Sequence, residues 1–98
     1  MGFRVFIEPL AIQDVHKAID FYNERQPGLG EKFKLSISKH ILSLEKNPFF
    51  RKRYDEVYCL PVNKYPYMIH YTIDEKSKMV IIRAVFHTSQ NPETWRRR

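Results

Sequence analysis

The sequence predicts a two-layer α+β domain: an N-terminal strand and a helical hairpin packed on a mainly antiparallel sheet, in the order β-α-α-β-β-β, with a short C-terminal segment. Three observations predict it. Apolar residues recur at three- and four-residue steps through the first half of the chain, a Pro-Gly breaker divides that stretch in two, and beyond Tyr54 the apolar period switches to two. With 98 residues, the whole chain from 1 to 98 reads as one domain with one core. No internal repeat, low-complexity run or linker interrupts it.

Phe3-Arg-Val-Phe-Ile7 reads as the first strand, with Val5 and Ile7 on alternating positions and Pro9 stopping it. Ala11, Val15, Ala18 and Tyr22, flanked by Ile12 and Ile19, then give one apolar stripe on a helix from about residue 10 to about residue 25. Pro27-Gly-Leu-Gly30 breaks it. The second helix carries Leu29, Phe33, Ile37, Ile41 and Leu44 on one face and ends at Asn47-Pro48, so the short connection makes an antiparallel helical hairpin. Phe49 to Tyr54 reads as a loop. Val57 to Val62, Pro66 to Ile73 and Met79 to Phe86 follow as three strands joined by hairpin-like loops at Asn63-Lys64 and Asp74-Lys78.

Strict alternation assigns faces. Tyr67, Ile69, Tyr71 and Ile73 share one face of the middle strand, and Val80, Ile82, Ala84 and Phe86 one face of the last. Packing the helices on these apolar faces leaves His70, Arg83 and His87 together on the open face. Tyr67 and Tyr71 are then expected to be buried with satisfied hydroxyls. Cys59, alone in the chain, is expected to be a buried thiol, and His16 and His40 to be solvated.

Composition narrows the function classes. Lys and Arg outnumber Asp and Glu by 17 to 11, a net charge of +6 that favours polyanionic partners, either nucleic acid or an acidic protein segment. The cations cluster at Arg51-Lys52-Arg53 and Arg96-Arg97-Arg98, with others at Lys32, Lys34, Lys39 and Lys64. The single cysteine, the lack of an apolar leader before Glu8 and Pro9, and the lack of a membrane-length apolar run lead to the expectation of a cytoplasmic protein with no membrane partner. No paired carboxylates, Cys/His cluster or Gly-rich phosphate loop is found, so neither a metal nor another cofactor is expected.

Taken together, the order of elements, Asp14-Val15 in the first helix, Gly28-Leu-Gly30 and Phe33 opening the second, Asn47-Pro48, Pro66-Tyr67 with Ile69 and Tyr71, and His87 followed by Asn91-Pro92 and Trp95 resemble the RelE/ParE superfamily of toxins of type II toxin-antitoxin systems. The ParE-like branch, which includes plasmid stabilisation proteins, is the more similar. The resemblance implies a toxin neutralised by a cognate antitoxin that wraps the hairpin and sheet. Either of two targets is implied: DNA gyrase, poisoned by ParE-like members without hydrolysis, or the ribosome, on which RelE-like members act as mRNA interferases. Relatives often carry arginine where this chain has Tyr58 and Gln90. Their absence places gyrase slightly ahead, keeps the ribosome as the alternative, and leaves an inactive relative that retains only antitoxin binding as a third reading. A homodimer or a toxin-antitoxin hetero-oligomer would each suit such a module.

Under the nuclease alternative the enzyme would be a metal-independent endoribonuclease acting on ribosome-bound mRNA. Attack by a 2′-hydroxyl needs a base, an acid and cations beside the phosphorus. The expected set is His87 as acid or base, Arg83 on the scissile phosphate, and Lys64 or His70 in electrostatic support. The competing reading of His87 is a strand-end cap bonded to the following turn. Tyr58 and the terminal Arg96, Arg97 and Arg98 complete the set of expected RNA- or target-binding residues, and Trp95 is read as an anchor for that terminus.

Overall fold

The computed structural model describes residues 2–50, 52–54 and 56–90. Asn91-Pro92, Trp95 and Arg96 to Arg98 lie outside the described residues, as does Arg51. Seven elements run in order: β1 (Arg4–Ile7), α1 (Pro9–Arg25), α2 (Leu29–Lys46), β2 (Lys52–Tyr54), β3 (Val57–Pro61), β4 (Tyr67–Asp74) and β5 (Met79–His87). The sheet has five strands in the order β1-β5-β4-β3-β2. Only β1 runs parallel to its neighbour; the other pairings are antiparallel. The expected α+β architecture is therefore present with one strand more. β2 falls where the sequence reads a loop, because three residues at the sheet edge, two of them charged, carry too little alternation to register as a strand.

Local chemistry accounts for the hairpin. Pro9 opens α1 at a position where its missing N–H costs nothing, and the backbone turns into α2 through Gly28 at φ 90°, a left-handed conformation that glycine adopts without strain. Two residues on, the Gly30 N–H donates to Asn23 Oδ1 at 2.8 Å, so the two helices meet with backbone almost on backbone. After α2, Asn47 Oδ1 accepts from Phe49 N–H, and the buried Pro48 presents its carbonyl to the Tyr71 hydroxyl at 2.7 Å. That single bond ties the end of the helical layer to the middle of the sheet.

The core lies between the helices and one face of the sheet. Ala11 and Ala18 from α1, Phe33, Ile37 and Leu44 from α2, and Leu60, Ile69, Tyr71, Val80, Ile82 and Val85 from the strands form it. At its wide end Tyr22, Phe33, Tyr65 and Tyr67 pack ring on ring, with centroids 5.1 to 6.3 Å apart. Tyr71 is fully buried with its hydroxyl bonded, as expected, whereas Tyr67 is only partly buried.

Val85 in the core marks a correction. His70 pairs with Ala84 but the next residue, Tyr71, pairs with Ile82, so Arg83 is an extra residue in β5. Strict alternation therefore fails at this bulge. Val80 and Ile82 face the helices, and beyond the bulge Val85 does so in place of Ala84 and Phe86. Those two pass to the other face with Met68, His70 and Cys59, all buried. One inserted residue exchanges the faces of everything after it.

Candidate functional site

The bulge separates the residues expected to act together. His87 pairs with Tyr67 and so lies on the helix side of the sheet, not on the open face. Its ring meets the Tyr67 ring edge-on at 5.2 Å, and its Nδ1 accepts from the Ser89 N–H at 3.1 Å, with the Ser89 hydroxyl 2.7 Å away. The His87 N–H in turn donates to Gln90 Oε1 at 2.9 Å, and Thr88 N–H donates to Pro66 O. These bonds to the following turn are the ones a strand-end cap would make, and Gln90 takes part in them.

Arg83 does lie on the face away from the helices, but its cation is engaged. Nη1 bonds Glu8 Oε2 at 3.2 Å and Nε donates to Thr72 Oγ1 at 3.1 Å, which clamps the end of β1 to β5 and β4. His70 was expected on an open face and is instead completely buried, its Nδ1 3.5 Å from Cys59 Sγ and its ring edge-on to Phe86. Tyr58 stacks on Tyr71 with centroids 5.5 Å apart and planes 14° off parallel, which makes it a partner of the core. Lys64 is exposed in the β3–β4 loop at the other side of the helical layer, beside α2. His87, Arg83, His70 and Lys64 thus occupy four separate environments. Arg96, Arg97 and Arg98 lie outside the described residues.

Three concavities among the described residues stand out. The first, about 350 Å³, lies where α1 crosses the end of β5, between Asp14, Lys17, Phe21, Tyr67, His87 and Gln90. Asp14 shapes it: its Oδ2 accepts the Val85 N–H at 3.0 Å, taking the place of a strand just past the point where β1 ends. Arg25 lies over the exposed Phe21 ring at 4.9 Å. The second, also about 350 Å³, is basic and lies between α2 and the β3–β4 loop, lined by Lys32, Lys39, His40, Asn63 and Lys64. The third is an apolar groove of about 170 Å³ between the helices, lined by Ile7, Ile12, Val15, Lys34, Ile37 and Ile41.

Two of these features were not legible in the sequence. His40, expected to be solvated, is part-buried: Nδ1 donates to Ser36 O at 2.7 Å and Nε2 accepts from Asn63 N–H at 3.1 Å, which ties the loop to α2. Its partner is 23 residues away, so no local signal exists. Asp14 stands out as a carboxylate within an apolar stripe, but its partner is 71 residues distant. Among the described residues no group of three His, Cys, Asp or Glu side chains is placed to share a metal ion, and no helix is long and apolar enough to cross a membrane.

Comparison with known proteins fits this geometry. The model of the ParE toxin of the type II toxin-antitoxin system, parDE, matches residues 5–92. No curated protein matches the sequence significantly. Among solved structures, a chromosomal ParDE toxin-antitoxin system from P. aeruginosa superposes with a TM-score of 0.78 at 15% identity, covering 89% of this chain and 97% of that one. A mutant of the E. coli toxin RelE in the free state gives 0.69 at 14% identity, covering 91% and 86%. The toxin-antitoxin complex RelBE2 from Mycobacterium tuberculosis gives 0.64 at 18%, covering 89% and 99%. At these identities the likeness is one of fold.

Proposed function

This chain belongs to the ParE toxin family of type II toxin-antitoxin systems, and we propose from that premise that it inhibits DNA gyrase by binding, in ParE-like fashion, until a cognate antitoxin neutralises it. The observation that supports this reading is the dispersal of the nuclease set. Cleavage of RNA needs base, acid and phosphate-holding cation around one phosphorus atom, within hydrogen-bond reach of it. His87 and Arg83 are on opposite faces of the sheet, and both are occupied by protein partners, Ser89 and Glu8. A binder needs no such convergence. It needs a rigid surface, and the hairpin locked by Gly30 and Asn23 is one. Its site of action would then be the cytoplasm, where gyrase works.

For the antitoxin the apolar groove between α1 and α2 is the favoured seat. Ile12, 41% exposed, shares that groove with Ile7, Val15, Ile37 and Ile41, and Lys34 stands beside them. A segment that orders on binding would place apolar side chains in the groove and a carboxylate against Lys34. Ile12→Asp should then abolish rescue by co-expressed antitoxin while leaving toxicity intact.

Purified gyrase decides the main proposal. Addition of this protein should stop supercoiling of relaxed plasmid or trap cleaved DNA, and unimpaired supercoiling at large molar excess would refute it. In parallel, toeprinting on ribosomes translating a defined message should show no new cuts. Cuts in the ribosomal A site that vanish in His87→Ala would establish the mRNA interferase instead.

A further inference from the structure

The basic cleft between α2 and the β3–β4 loop is not used by the reading above. We propose that it is a nucleic-acid backbone site, in which Lys32, Lys39 and Lys64 contact phosphates of a duplex. The inference goes beyond the choice of target, since gyrase and the ribosome both present nucleic acid.

All three lysines are exposed, and none is ion-paired with a carboxylate among the described residues. Lys32 and Lys39 are seven positions apart on one helix, so they share a face and are separated by about 10 Å along the axis. A DNA strand advances about 3.4 Å per phosphate, so that row spans roughly three phosphate steps. Lys64 adds a cation from across the cleft.

The loop that carries Lys64 is held for the purpose. Lys64 has φ 72°, a left-handed conformation unfavourable for any residue with a Cβ. Both neighbours are anchored: Asn63 by its N–H to His40 Nε2, and Tyr65 by ring contacts to Phe33 and Tyr22. Between two fixed points the strained residue keeps its ammonium at the cleft. The chemistry also discriminates between partners. Three lysines suit point contacts to phosphate, whereas the cores of protein interfaces are depleted in lysine and need apolar anchors, and of the two candidates here, Leu35 and Tyr65, the tyrosine ring is already packed on Phe33 and Tyr22. No free aromatic platform lines it, so recognition would be of the backbone and independent of sequence.

The test is fluorescence anisotropy of the full chain with a short fluorescein-labelled DNA duplex across a salt series. Each phosphate contact contributes about 0.9 to the slope of log K against log salt. Lys32→Gln, Lys39→Gln and Lys64→Gly combined should therefore lower the slope by roughly 2.7, and Lys32→Gln with Lys39→Gln, which leaves the loop untouched, by roughly 1.8. The glycine at 64 adopts the left-handed geometry without strain and removes the ammonium together with its side chain. Arg4→Gln, Lys46→Gln and Lys76→Gln combined, an equal loss of charge elsewhere, should leave the slope unchanged. Equal slopes in the cleft and control variants, or no duplex binding by the full chain, would overturn the proposal. So would a cleft variant that loses binding only to a polyglutamate peptide, since that result would make the cleft a seat for an acidic protein.

Discussion

Gly30→Ala tests the hairpin on which every proposed surface depends. A Cβ at this position would stand 2.4 Å from the Ile19 carbonyl oxygen and 2.7 Å from Asn23 Cγ, where ordinary contact begins near 3.4 Å, so about 1 Å of separation is missing on the Ile19 side. Helix propensity alone would favour alanine by about 1 kcal/mol. Against that gain stand overpacking of about 1–3 kcal/mol and loss of the Gly30 N–H bond to Asn23, worth about 1 kcal/mol. Because the nearer atom is backbone, no rotamer change relieves it. The net expectation is a loss of roughly 1–3 kcal/mol, a fall in Tm of roughly 5–20 °C for a domain of this size, measured by circular dichroism. Adding Asn23→Ala should not restore stability, since the Ile19 carbonyl remains in the way. An unchanged or raised Tm for Gly30→Ala would refute the argument that the helices are locked at this point.

Other perturbations follow from single contacts. Asp14→Ala should cost about 1.5–3 kcal/mol in urea denaturation by leaving the Val85 N–H without its charged acceptor, and Asp14→Asn should recover most of it by keeping an oxygen there. Burial raises the phenol pKa of Tyr22, Tyr67 and Tyr71 above its ordinary value near 10. The unfolded chain then releases these protons first, so the stability these three phenols contribute should be fully present below pH ~10 and decline above it. In Tyr71→Phe that decline should be shallower, from a lower neutral-pH plateau because Pro48 O loses its donor. His87→Ala should leave gyrase inhibition within about twofold of the parent while removing the cap on the Ser89 turn, a change of about 1 kcal/mol or less in stability.

What the sequence made legible, and what it did not, divides along physical lines. Both helices, four of the five strands and most of the core follow from periodicity, because helix and strand each repeat a local pattern that burial enforces. The Asn47-Pro48 stop and the Gly28 turn are equally local. The bulge has no local signature. Arg83 lies within an unbroken apolar run, and only its pairing partners and the Glu8 carboxylate at the far end of the chain reveal that it is the extra residue. The candidate site depends on that one residue, since the face of His87 is set by counting through it. The basic cleft escaped for a related reason. Lys32, Lys39 and Lys64 were each visible as cations, but what gathers them is the bond from His40 to Asn63 across 23 residues.

The bulge also bears on which activity this fold can host. On a regular β5, residues 83 and 87 would share a face and could converge on one phosphate, with His70 beside them. Insertion of Arg83 moves His87 to the helix side, where Tyr67 and Ser89 hold it, and leaves Arg83 to satisfy Glu8 and Thr72. Restoring convergence would require slipping the end of β5 by one residue so that Arg83 pairs with His70, which would also return Ala84 and Phe86 to the helix side in place of Val85. Val85 N–H would then no longer meet Asp14. The same inserted residue thus keeps the core intact and keeps the two candidate catalytic groups apart, so stability of this domain and assembly of that nuclease site are opposed. A surface that acts by binding is free of the conflict.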